Sequence, residues 1–174
     1  MTEHDAKYLI LMRHAEADWG MDDFNRPLTS RGHSQAQTAG QWLAEKGYIP
    51  EQIMSSSALR TRQTTTWVSD ALGEQAPTAH LDEGLYEVSD SRIIARINGV
   101  SEDVRSLLVV SHLPGIYDAA LRLATADSEY QAMMDMSYGL VPSSIAVFRV
   151  DDLWALLDDA RTGTGARLID FASF

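Results

Sequence analysis

The 174-residue chain reads as an α/β domain: a three-layer sandwich, with a mostly parallel sheet, helices on both of its faces and an antiparallel edge from the C-terminal part. Three observations predict this. Residues 8 to 12 (YLILM) and 106 to 110 (SLLVV) are unbroken apolar runs, the mark of strands buried on both faces. Segments of helical period, each with start and stop signals, alternate with such runs. The last third holds two strand-like stretches, 144 to 150 (SIAVFRV) and 166 to 171, with no long helix between them, which is the pattern of a hairpin.

The elements follow in order. After the first strand comes a loop rich in Asp, Asn and Pro, then a helix that Thr29 or Ser30 can cap. Ala36, Ala39, Gly40 and Leu43 recur on one face of that helix, and Gly47 closes it. Ile53 and Met54 mark a second strand that runs into Ser55-Ser56-Ser57. A helix from about Ala58 to Leu72 stops at Gly73. Residues 78 to 81 make a short strand, and Ser89 or Asp90 caps a helix through Asn98. The strand at 106 to 110 precedes Pro114, which suits a helix's first turn. A further helix is expected near 128 to 137, and the hairpin completes a single domain spanning 1 to 174. The TGTG at 162 to 165 reads as a loop, because no lysine or helix start accompanies it.

Composition narrows the function. Hydrophobic residues make up 45% and charged residues 22%, as expected of a globular chain with a sizeable core. The absence of cysteine excludes disulfides, thiolate metal sites and thiol catalysis. A net charge of −11 repels nucleic acid and anionic membranes, so neither is expected as a partner. No apolar run has the roughly 20 residues of a membrane helix, and the start resembles neither a signal nor a transit peptide, so a cytoplasmic location is expected. Any anion must therefore be held in a local pocket of arginines, against the field of the whole protein.

Sheets of this kind bind ligands beyond the carboxyl ends of their strands. The first strand delivers Arg13-His14. The second delivers Ser56, with Arg60 in the first turn of the helix that follows. The third delivers Ser111-His112-Leu113-Pro114-Gly115. Two arginines and two histidines at one sheet edge suit phosphoryl transfer: guanidinium groups neutralise phosphate oxygens, and a neutral imidazole can attack phosphorus. An attacking histidine needs its other ring nitrogen to donate to a backbone carbonyl, which sets the tautomer, while a second histidine serves better as a donor to phosphate. A proton for the leaving group could come from Glu83 or Glu87, or from Glu16 or Asp18. The remaining carboxylates of DWGMDDF are expected to form a solvated loop. His4, His33 and His80 are assigned no role. A metal ion is not expected, since arginines beside His14 and His112 would oppose a cation.

These segments together resemble the histidine phosphatase superfamily, the phosphoglycerate mutase-like group, and within it the small branch typified by SixA phosphohistidine phosphatases. LILMRHAEADW is similar to the opening strand with its RHG-type motif, and DDFNRPLTSRGHSQA to "RPLT..G..QA". SSALRTRQT is similar to "S..LR..QT", LYEVS to the "LYE" loop, and SHLPG to the "GHNPG"-type motif. The five come in family order from residue 8 to about 116. The resemblance implies a phosphoglycerate mutase-like fold and a phosphatase that needs no cofactor. It implies that His14 takes up the phosphoryl group, that Arg13, Arg60 and His112 hold it, and that Glu87 stands at the general acid's position. Arg26 is also matched and is read as organising its loop. Ala15 replaces the wider superfamily's glycine, as is common in the small branch. Gly20 stands where mutase relatives carry an asparagine, which argues against a bisphosphoglycerate site. The chain has no room for the helical insertions that enclose small substrates in other relatives. The expected substrate is therefore a phosphorylated protein, phosphohistidine first, with a small phosphate ester as the alternative and a non-catalytic phosphate-binding module as the reading from another class.

Overall fold

A computed structural model describes residues 6–20, 22–161 and 163–174. His4 and the first threonine of the 162–165 loop thus lie outside the described residues. One six-stranded sheet organises the chain. Its strands are β1 (Lys7–Arg13), β2 (Gln52–Ser56), β3 (Ala79–Asp82), β4 (Ser106–Ser111), β5 (Ile145–Val150) and β6 (Arg167–Ala172), in spatial order β3-β2-β4-β1-β5-β6. The pairings β3–β2, β2–β4 and β4–β1 are parallel, and β1–β5 and β5–β6 are antiparallel. This is the expected mostly parallel sheet with an antiparallel hairpin at its edge.

Side-chain alternation along the strands divides the core in two. Leu9, Leu11, Leu107, Val109, Ala146 and Phe148 pack with α3 (Asp90–Asn98), α4 (Gly115–Leu123) and α5 (Tyr130–Ser137). Ile10, Met12, Leu108, Val110, Ile145 and Val147 face the other way, against α1 (Ser30–Lys46) and α2 (Leu59–Leu72), which contribute Ala39, Leu43, Val68 and Leu72. The unbroken apolar run of β1 is thereby explained: Leu9 through Met12 are fully buried from both sides. Each such side chain contributes about 1.5–3 kcal/mol through burial, so the strand leading to Arg13-His14 is firmly anchored. No helix among the described residues is long and apolar enough to cross a membrane.

Helix ends follow the local signals. The Thr29 hydroxyl accepts from the Gly32 N–H at 2.9 Å and caps α1, and Gly47 takes the left-handed conformation that ends it. The Ser89 hydroxyl caps α3. In the sheet, Arg13 is in register with Ser111 and Ser55 with Val110, so the ends of β1, β2 and β4 open on the same edge.

Candidate active site

Backbone contacts pin the tip of β1. The His14 N–H donates to the Ser111 carbonyl at 3.1 Å, and its carbonyl accepts from the Ser143 N–H at 3.0 Å. Around it opens a cleft of about 470 Å³ lined by Arg13, His14, Arg60 and His112, with Glu16, Asp18, Trp19, Arg26, Leu113 and Pro142 also in its walls. The three strand ends thus converge, as the sequence predicts. The rings of His14 and His112 lie 5.3 Å apart between centroids.

The His14 ring is held in one tautomer. Its Nδ1 lies 2.7 Å from the Ala15 carbonyl, which can only accept, so Nδ1 carries the proton and Nε2 the lone pair. Burial pushes its pKa down to about 3, the Ala15 bond partly offsets this, and His112, Arg60 and Arg13 depress it further. The ring is therefore neutral at pH 7. The pKa of His112 is likewise down to about 3, chiefly through burial and then the Arg60 charge. Its Nε2 lies 2.7 Å from the Ser56 hydroxyl, while its buried Nδ1 has no partner among the described residues. The Nε atoms of Arg13 and Arg60 are buried and equally unpartnered. Each such atom costs roughly 1–3 kcal/mol while unpaired, and all three belong to residues lining one cleft.

The family-type motifs also do structural work around the ring. Thr64 accepts from the Ala15 N–H at 3.0 Å and donates to the Arg60 carbonyl at 2.7 Å, linking the first and third motif segments through one hydroxyl. The amide oxygens of Gln35 and Gln63 accept from the Glu16 and Leu28 N–H groups at 3.0 and 2.7 Å. A Cβ at Gly32 would run into the Glu16 carbonyl, and one at Gly115 into the Val88 carbonyl, so these two glycines permit the close approach of neighbouring motif segments.

The solvated loop expected for DWGMDDF needs correction at Asp23. Its carboxylate accepts from Tyr86 Oη at 2.6 Å, from Arg60 Nη2 at 3.1 Å and from Arg26 Nη1 at 3.0 Å, and its carbonyl accepts from Arg60 Nη1 at 2.6 Å. The Tyr86 bond above all, with the two arginines, holds its pKa down to about 2. A carboxylate placed among three donors stays ordered even when half exposed. Arg26 also donates from Nε to the Asp18 carbonyl at 2.7 Å and lies over the Trp19 ring at 4.6 Å, so it does organise the loop. Arg13 donates to the Leu140 carbonyl at 2.9 Å, a contact from the segment before β5 that no sequence motif announced.

Of the four acid candidates, Glu16 and Asp18 line the cleft, but both are engaged. Glu16 accepts from the Thr29 hydroxyl at 2.9 Å, and Asp18 accepts from the Trp19 N–H at 2.8 Å. Glu83 begins a 3-10 turn, Glu83–Leu85. Glu87 is exposed, outside the lining residues, and sits at φ 49°, in the left-handed region that a non-glycine residue seldom occupies. Its neighbour Tyr86 packs edge-on against His112, with ring centroids 5.5 Å apart. Of the histidines assigned no role, His33 stacks on Trp67.

A family model for the histidine phosphatase superfamily (branch 1) matches residues 9–93. An uncharacterized protein of Mycobacterium tuberculosis, Rv1276c, is 36% identical over 147 residues, covering 83% of this chain and 90% of its own. A solved structure assigned as the phosphohistidine phosphatase SixA of Nakamurella multipartitia is similar at TM-score 0.77 and 28% identity, over 96% of this chain and 95% of that one. Another, assigned as SixA of Agrobacterium tumefaciens, gives TM-score 0.78 and 25% identity over 97% and 98%.

Proposed function

Because the chain belongs to the histidine phosphatase superfamily, in its small SixA-type branch, we propose that this phosphatase works through a covalent phosphohistidine on His14, with protein phosphohistidine as its substrate. The observation that carries the reading is the 2.7 Å bond from His14 Nδ1 to the Ala15 carbonyl. It leaves Nε2 as a neutral nucleophile in a cleft whose walls include the guanidinium groups of Arg13, Arg26 and Arg60. Similarity to chains assigned as phosphohistidine phosphatases supports the substrate class.

In the first transfer, His14 Nε2 attacks phosphorus as the bond to the leaving group breaks, and the leaving group takes a proton from Glu87, a role supported by the match to the LYE motif and requiring this exposed side chain to swing to the cleft mouth. In the second, water attacks the phosphohistidine, yields a proton to Glu87, and Nε2 departs with its electron pair, regenerating the neutral ring. Arg13 and Arg60 neutralise the non-bridging oxygens. His112 donates from Nδ1, a role supported by the Ser56 hydroxyl, which can donate to Nε2 at 2.7 Å and keep the proton on the other nitrogen. Nothing in this scheme uses a metal ion.

The test is to incubate the protein with a labelled phosphohistidine-bearing carrier domain and quench it. Acid-labile, alkali-stable phosphate is expected on the wild type and absent from His14→Ala. Turnover of p-nitrophenyl phosphate should survive EDTA and be blocked by vanadate. Full turnover by His14→Ala would sink the mechanism. Phosphate binding without any turnover would mark a binding module instead.

A further inference from the structure

Trp19 stands in the wall of the cleft yet is 82% exposed. A tryptophan so open to water forgoes most of the stabilisation its ring could gain by burial. Its surroundings are nevertheless built. Its backbone N–H donates to Asp18 Oδ1 at 2.8 Å, and the Arg26 guanidinium lies 4.6 Å from the ring centroid. Arg26 is itself held by the Asp18 carbonyl at 2.7 Å and the Asp23 carboxylate at 3.0 Å. The ring is therefore backed by a cation fixed by two acceptors and needs little further ordering when something docks on it. Leu113, 41% exposed, and Pro142 give the same cleft further apolar wall.

The arginines and His14 take the phosphoryl end of a substrate, so the rim faces what is attached to it. We infer that Trp19 is a specificity-determining residue that stacks a planar aromatic or heteroaromatic leaving group at the mouth of the cleft. A flat ring gains both contact area and offset stacking on the indole, whereas an alkyl group gains only part of the area. The inference rests on the phosphatase reading above for which end of the substrate faces the rim.

Phenylphosphonate and methylphosphonate share the anion and differ in the ring, and neither is hydrolysed. Calorimetric titration of each into the wild type, Trp19→Ala and Trp19→Phe tests the inference. The wild type should prefer phenylphosphonate by about threefold to tenfold. Trp19→Ala should lose that preference and Trp19→Phe keep most of it, with unchanged thermal melting, since the side chain is exposed. Equal affinity of the two probes for the wild type, or a preference that survives in Trp19→Ala, overturns the inference, as does a failure of both to bind. A protein that shows the Trp19-dependent preference but never turns over p-nitrophenyl phosphate would sink the hydrolase reading and leave Trp19 as the residue that selects the aromatic group of a bound phosphate.

Discussion

Asp23 grips both terminal nitrogens of Arg60, Nη2 through its carboxylate at 3.1 Å and Nη1 through its carbonyl at 2.6 Å. One loop residue therefore sets the orientation of a guanidinium that lines the cleft on α2. The same carboxylate holds Arg26 and Tyr86, so its charge is matched locally and adds little repulsion to an incoming phosphate.

Orientation should outweigh repulsion when Asp23 is removed. Asp23→Ala is expected to raise KM for p-nitrophenyl phosphate, and Ki for vanadate, by about tenfold, the scale of one charge-assisted hydrogen bond. Asp23→Asn should fall between, because its amide oxygen still accepts. A lower KM in Asp23→Ala would mean that the carboxylate acts chiefly as a competitor for Arg60.

Thr64 ties the Ala15 peptide to the Arg60 carbonyl, and the Ala15 carbonyl in turn fixes the tautomer of His14. Thr64→Val keeps the shape but leaves the buried Ala15 N–H unpaired. Urea denaturation should show a loss of about 1–3 kcal/mol, and kcat should fall more than KM rises. Thr64→Ser should restore both. Equal kcat in Thr64→Val and the wild type would confine this hydroxyl to stability.

The buried histidines make stability pH-dependent with a defined sign. His14 and His112 titrate at about 3 in the folded protein, while the unfolded chain returns them to about 6.5. Between those values the unfolded state binds more protons, so stability is fully present above about 6.5 and is lost as pH falls towards 3. Each histidine contributes up to about 1.4 kcal/mol per pH unit in that window. The stretch from pH 7 to 5 is the diagnostic one, because carboxylates there are charged in both states. Urea midpoints should decline across it, and less steeply in His112→Asn. A flat profile would show that these rings protonate in the folded protein.

Glu87 is tested through the leaving group. As the acid, it matters most where the departing oxygen is strongly basic. Glu87→Gln should slow hydrolysis of phenyl phosphate by about 100-fold or more while sparing p-nitrophenyl phosphate. The same pattern in Glu16→Gln or Asp18→Asn, with Glu87→Gln unaffected, would move the role to the first loop.

Local chemistry made most of the fold legible. The buried run before Arg13, the Thr29 cap and the Gly47 stop are each decided by a few adjacent residues, and the structure carries all three. The convergence of Arg13, Arg60 and His112 was legible because parallel strands end on one edge. Asp23 was not, since its partners Arg60 and Tyr86 lie 37 and 63 residues away and loop acids are ordinarily solvated. Only Arg26, three residues on, hinted at a pair. The Leu140 carbonyl on Arg13 was illegible for another reason: a backbone acceptor leaves no mark in the side-chain pattern. Thr64 lay in plain view within RQT, but its hydroxyl gains meaning only once α2 is laid beside the tip of β1.

The His14 peptide is clasped on one side by β4 and on the other by the segment entering β5, through Ser111 and Ser143. The segment bearing Trp19, Asp23 and Arg26 closes on itself at the bridge between Ala17 and Leu28 and, among the described residues, reaches the rest of the cleft through the hydrogen bonds of Asp23 with Arg60 and Tyr86. Position 23 is therefore the point at which the loop and the phosphate-holding frame are coupled. Exchanging residues 18–26 for the matching loop of another superfamily member should retarget the protein, with the attacking ring left where the sheet holds it, as long as the incoming loop keeps an acceptor for Arg60 at position 23.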